Sequence, residues 1–160
     1  ADAWLGGEGD PQRTLEILKD PRSGAAAIVL VALVVIVKFA ALAVLVGHGQ
    51  WLAVLLVPAL GRAFVIGLFL TTPYVRPGGL GQPLVDNLPR GPAGWVALFT
   101  CACFIVGGGA GIQALVCGLL AAAGLRQLMI HRIDGTTGDT AGALIELTEA
   151  AALVGWGLTL

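Results

Sequence analysis

Asp139, Glu146 and Glu149 stand seven and three residues apart in the last apolar stretch of the chain. That spacing puts three carboxylates on one stripe of a helix. Carboxylates sharing Mg2+, with Arg and Lys close by, are what phosphoryl transfer needs: the metal bridges phosphate oxygens and cations neutralise the charge that develops in the transition state. Cationic candidates exist. Lys19-Asp20-Pro21-Arg22-Ser23-Gly24 immediately precedes an apolar run, where basic side chains and free backbone N–H groups could hold a phosphate. Arg62 lies inside the second apolar run and must face a polar cavity, a partner or the interface. Each has a structural alternative. Basic residues beside a span act as topology signals, Asp139 caps its helix, and the two glutamates pair with Arg62 or Lys38 inside a bundle. Lys38 either snorkels or pairs. His48 and His131 are solitary and read as interfacial residues. Spacing alone leaves these readings open.

The elements that must carry these residues belong to a membrane protein. Of 160 residues, 57% are hydrophobic and 12% charged, with a mean hydropathy of +0.89, against about 25% charged in soluble domains. A length of 160 residues suits one helical bundle, residues 1–160 forming a single membrane-embedded domain. The net charge of −1 and the lack of a basic tract give no case for nucleic acid as a partner. Cys101, Cys103 and Cys117 lie in an apolar segment without His or acid, so they read as packing residues. The sequence opens Ala1-Asp2-Ala3-Trp4, with no Met and no secretory signal pattern, and is expected to be a piece of a longer chain.

Asp10 is placed to cap a short polar helix, Pro11 suits its first position and Pro21 ends it. Gly24 to Gly47, interrupted only by Lys38, is a first crossing; Gln50 to Leu70, broken by Pro58 and Gly61-Arg62, is a second. Thr71 to Ala93 holds five prolines, the Gly78-Gly79-Leu80-Gly81 cluster and the polar residues Tyr74, Arg76, Asp86 and Arg90. A structureless loop of that length is usually functional or disordered. Gly107-Gly108-Gly109 divides the next apolar run into helices over about 94–106 and 110–130, one long kinked helix being the alternative, and the last helix runs from Thr140 to Leu160. Gly138, Gly142 and Ala143 are small enough for a neighbouring helix to approach closely. The expected fold is all-α: a polytopic bundle of about five membrane helices with a short N-terminal interfacial helix.

Arg13, Lys19 and Arg22 precede the first crossing, Arg76 and Arg90 follow the second, and Arg126 and Arg132 precede the last; the other turns have none. By the positive-inside rule these three segments are cytoplasmic. Asp2, Lys19, Asp20, Arg22, Arg76, Arg132, Asp134 and Asp139 then converge on one face of the bilayer.

Several blocks follow one family's order. Ala1-Asp2-Ala3-Trp4-Leu5-Gly6-Gly7 is similar to the end of an Asp-rich motif; Leu15 to Gly24, Lys38-Phe39-Ala40-Ala41-Leu42, Gly61-Arg62, Pro73-Tyr74-Val75-Arg76 and Gly79-Leu80-Gly81 come next. The most specific block is Thr136-Thr137-Gly138-Asp139-Thr140-Ala141-Gly142-Ala143, with Asp134 where the family usually has Gly. Together they resemble the cobalamin synthase family, the adenosylcobinamide-GDP ribazoletransferases. The resemblance implies a Mg2+-dependent multi-pass transferase of the bacterial inner membrane with its site facing the cytoplasm. An alcohol of α-ribazole or its 5′-phosphate attacks the corrinoid-linked phosphorus of adenosylcobinamide-GDP and GMP leaves. It assigns Asp2 and Asp139 to the metal, Glu146 to a third ligand or proton acceptor, and Lys19, Arg22, Arg62 and Arg76 to phosphate oxygens. It also implies that upstream helices and two aspartates of the Asp-rich motif are missing, and that this piece alone is inactive. Further partners are the lipid bilayer and a second copy of the chain. Three alternatives stand beside it: a CDP-alcohol phosphotransferase-like enzyme, an ion or proton transporter using Lys38, Arg62 and Glu146, and a structural membrane subunit.

Overall fold

The most apolar of the long helices is also the least enclosed. The structure, a computed structural model, describes residues 1–7, 9–20 and 22–160. After two short helices, α1 (Asp2–Gly6) and α2 (Pro11–Lys19), come α3 (Ala25–Gly47) and α4 (Trp51–Thr71). Then follow a short α5 (Gln82–Asp86), α6 (Arg90–Cys103), α7 (Gly108–Ile133) and α8 (Gly138–Gly157). The long helices are the five expected. Three segments among the described residues are long and apolar enough to cross a membrane: α3, α4 and the stretch from Arg90 to Ile133. At 1.5 Å per residue, the 23 residues of α3 reach about 34 Å, enough for a hydrocarbon core of about 30 Å.

Only 6% of the apolar window of α3 is buried, against 44% for α4, while α8, whose polar residues set it apart from these spans, buries ten of its residues. A lipid-facing helix needs no partner for its Val, Ile and Leu side chains; one carrying two glutamates must find partners inside the bundle. α8 therefore sits centrally, packed on α7, α4 and α3. Its crossing with α4 is close because Gly61 has no Cβ. One placed there would lie 2.9 Å from Glu149 Oε1 and 3.1 Å from Ile145 Cγ2. Gly142, by contrast, faces open space, so the expected close approach to a helix at that position is not made. On the far side, Trp156 is fully buried and meets Phe104 edge-on, with ring centroids 6.1 Å apart.

The expected break between the third and fourth long helices is a 3-10 turn over Phe104–Gly107, after which Gly108 takes φ 62°. A side chain is disfavoured in that conformation. Pro58 does not end α4, which runs unbroken through it. Asp10 caps α2 as expected, its Oδ1 accepting from the amides of Gln12 (2.9 Å) and Arg13 (3.1 Å). The expected stop at Pro21 falls outside the described residues; α2 ends at Lys19. Two elements were not anticipated, α1 and the α5 turn inside the proline-rich segment.

Candidate functional site

The segment after α4 is hooked onto the junction that opens α8. Val75 donates its amide to the carbonyl of Thr136 (2.9 Å) and Thr136 returns its own to Pro73 (2.8 Å), an isolated parallel bridge centred on Tyr74 and Thr136. Immediately after it, Thr137 caps α8: its Oγ1 accepts from the amide of Thr140 (3.3 Å), and Thr140 Oγ1 accepts from that of Thr137 (2.9 Å). This reciprocal box, formed by two buried threonines, does what the structural alternative gave to Asp139. Asp139 instead lies in the first turn of α8, where a negative charge is favoured by the helix dipole, and its Oδ2 takes a hydrogen bond from Arg76 Nη1. The α4 end of the segment is held from α7: Arg126 donates to Thr72 Oγ1 (3.0 Å) and to the carbonyl of Thr71 (2.9 Å).

Arg76 and Asp139 open onto a cavity of about 710 Å3, whose wall also includes Lys19, Tyr74, Gly138 and the Gly78–Gly81 turn. Lys19 makes no ion pair with a described residue. Two cations and one carboxylate thus leave the cavity net positive, and the N-terminal end of the 20-residue α8 adds partial positive charge. Such a wall attracts an anion. α2, the loop after α4 and the α7–α8 junction all reach this one cavity; of the charges expected to converge, Lys19, Arg76 and Asp139 line it, while Asp2, Asp20, Arg22, Arg132 and Asp134 do not.

A second charged group lies two turns along α8, about 10 Å from Asp139 along the helix axis. Lys38 Nζ bonds Glu146 Oε2 and Glu149 Oε2, each at 2.7 Å, and Arg62 Nη1 reaches Glu149 Oε1 and the carbonyl of Pro58 (3.0 Å). Glu149 is 7% exposed and Lys38 19%. Two positive and two negative groups balance. This is the pairing inside the bundle that the structural alternative anticipated, and it takes Glu146 and Arg62 away from the Asp139 cavity. Glu146 lines a separate apolar cavity of about 480 Å3 between α3 and α8, beside Leu30, Val34 and Leu147.

The remaining two residues implied by the resemblance are also engaged elsewhere. Asp2 Oδ2 accepts from the amide of Gly24 (3.0 Å) and Oδ1 from that of Ala27 (3.3 Å), closing the N-terminus of α3 from 22 residues upstream. Arg22 is exposed and forks onto Asp20, Nε to Oδ1 at 3.0 Å and Nη2 to Oδ2 at 2.8 Å. That hydrogen-bonded guanidinium holds the Asp20 carboxyl down at about 2. Neither Asp2 nor Arg22 lines the cavity. The structure therefore gathers Lys19, Arg76 and Asp139, and leaves Asp2, Arg22, Arg62 and Glu146 outside.

No group of three or more His, Cys, Asp or Glu that could hold a metal occurs among the described residues. Mg2+ does not need one, since it is commonly held by one or two carboxylates and completed by phosphate oxygens and water. Asp139, 53% exposed at the cavity, meets that requirement. The donor set suits an ion shared with a phosphorylated ligand, not a closed protein cage.

The profile of the cobalamin-5-phosphate synthase family matches residues 1–157. The chain belongs to that family. Relatives named adenosylcobinamide-GDP ribazoletransferase include one from Pseudomonas putida (strain F1), 56% identical over 162 residues, which cover 100% of this chain and 65% of the relative. Others are from Pseudomonas fluorescens (strain Pf0-1), 52% identical, and Pseudomonas entomophila (strain L48), 55% identical, each match covering 99% of this chain and 65% of the relative. The chain thus spans 65% of the length of these family members. No solved structure matches it. Tyr74 is the wall residue that the sequence reading left without a role. Its signal was its place two residues before Arg76 and next to a cluster of glycines.

Proposed function

We propose that the full-length protein transfers the adenosylcobinamide phosphate moiety of adenosylcobinamide-GDP to α-ribazole or its 5′-phosphate, releasing GMP. The observation that carries this reading is the convergence of Lys19, Arg76 and Asp139 on one net-positive cavity at the N-terminus of α8, in a chain of the cobalamin-5-phosphate synthase family. Lys19 and Arg76 hold oxygens of the diphosphate, and the α8 terminus adds its dipole. Asp139 orients Arg76 and supplies the carboxylate for Mg2+. When bound, the ion neutralises charge on the phosphate oxygens. Asp2 is assigned to the α3 terminus and Glu146 and Arg62 to the charge group around the buried Glu149, which fixes α3 and α4 against α8 beneath the cavity.

The protein sits in the bacterial inner membrane with this cavity facing the cytoplasm, a placement supported by the basic residues clustered at the cavity end and by the solubility of the nucleotide. The test is GMP release by the full-length protein in proteoliposomes supplied with adenosylcobinamide-GDP, α-ribazole and Mg2+. Asp139→Asn lowers kcat by about 100-fold or more. Near-normal Mg2+-dependent GMP release by that variant refutes the assignment, and equal turnover of a CDP-linked alcohol refutes the substrate.

A further inference from the structure

Tyr74 Oη is buried and has no hydrogen-bond partner, the one such side-chain oxygen or nitrogen among the described residues. A phenol hydroxyl taken from water without a partner is a standing penalty, and such groups in a folded protein call for a cause. Its surroundings supply one. The ring is held from below by an edge-on contact with Phe69, centroids 6.4 Å apart, and its backbone by the bridge to Thr136. Around the hydroxyl lie three glycines. A Cβ on Gly79 would collide with it, one on Gly81 would lie 3.2 Å away, and one on Gly138 3.7 Å. The hydroxyl therefore sits between the glycine turn and the first residue of α8, on the wall of the cavity that holds Lys19, Arg76 and Asp139.

We propose that Tyr74 is a further substrate-contacting residue of this site: its hydroxyl donates a hydrogen bond to a diphosphate oxygen of the nucleotide-linked substrate, and the Gly78–Gly81 turn covers it until that oxygen arrives. This rests on the function proposed above. The turn is suited to give way because it is held by bonds internal to its own segment. The amide of Gly79 donates to Arg76 O and that of Gln82 to Gly79 O, both at 3.0 Å, and the amide of Gly78 to Gln82 Oε1 at 2.6 Å. With three glycines in four positions, it carries little side-chain bulk to obstruct the move. A phosphate oxygen that reached the hydroxyl would also lie beside the amides opening α8, where negative charge is favoured.

The experiment compares wild-type and Tyr74→Phe forms of the full-length protein in detergent. Affinities for GDP and for inorganic pyrophosphate are measured by calorimetry with Mg2+ present, melting temperature without ligand, and KM for each substrate. Tyr74→Phe is expected to weaken GDP and pyrophosphate binding about tenfold. It raises KM for adenosylcobinamide-GDP alone, and leaves the ligand-free melting temperature equal or higher because an unpaired buried hydroxyl has been removed. Unchanged affinity for both probes, or a weakening accompanied by a lower ligand-free melting temperature, overturns the inference while the function stands. A wild-type protein that neither binds GDP nor releases GMP overturns both.

Discussion

The two charged groups on α8 are built from the same residue types and end in opposite chemistry. Lys38, Arg62, Glu146 and Glu149 pair among themselves, and the central carboxylate is 7% exposed. Arg76 and Asp139 also pair, yet Lys19 shares their cavity with no acid of its own, and Asp139 is 53% exposed. One group is neutral and built around an enclosed acid; the other has its acid half exposed and positive charge left over. Ion pairing as such does not mark a site. What separates the two is residual charge and the burial of the acid at the centre.

The sharpest way to break this comparison is to unbalance the neutral group. Glu149→Gln leaves Lys38 and Arg62 without their shared acid, and removing one partner of a buried pair costs about 3–5 kcal/mol. Thermal melting of the purified full-length protein is expected to fall steeply; a melting temperature within a degree or two of wild type would mean that the group does not hold the bundle. The mirror experiment is Arg76→Gln. Its partner is half exposed, so melting should hardly move, while KM for the nucleotide substrate rises about 10-fold or more with the loss of a charge-assisted contact. If Arg76→Gln unfolds the protein and Glu149→Gln only slows it, the roles of the two groups are reversed.

A smaller effect is expected at the junction that leads from α7 into α8. Asp134 closes α7 in the left-handed conformation, φ 55° and ψ 21°, a position that favours glycine. Asp134→Gly should raise stability by about 0.5–1 kcal/mol without changing activity, read as a higher denaturation midpoint. The smallest effect lies at the surface. Asp20 is held at about 2 by Arg22, below the ordinary carboxylate value near 3.9. Because the folded form titrates lower, any stabilisation from this pair is complete above pH 4 and is lost as pH falls from about 4 through about 2. Carboxyl NMR should show the Asp20 midpoint returning to the ordinary range in Arg22→Gln, with melting above pH 5 unchanged.

How much of this was legible depended on the range of the interactions. α3, α4 and the break before Gly108 follow from apolar runs and a glycine triplet, and the cap of α2 from Asp10-Pro11, all signals carried within a few residues. The pairing of Lys38 and Arg62 with the two glutamates was one of two readings, because an intramembrane charge needs a partner but spacing does not say which. The contacts of Asp2 were not legible for a different reason: its partners, the amides of Gly24 and Ala27, belong to the backbone of a helix more than 20 residues away and leave no mark in the sequence. The bridge between Tyr74 and Thr136 is equally silent, being two backbone bonds across more than 60 residues. Asp139 and Arg76 line one cavity, and the resemblance could not separate them from Arg62 and Glu146, since motif order carries no distances.

That bridge has a mechanical consequence. Tyr74 and Arg76 belong to the strand-like segment and Asp139 to the first turn of α8, and two backbone bonds yoke the segment to the residue just before that turn. A tilt of α8 therefore carries Tyr74, Arg76 and Asp139 together, and the spacing of the groups that face an anion is kept.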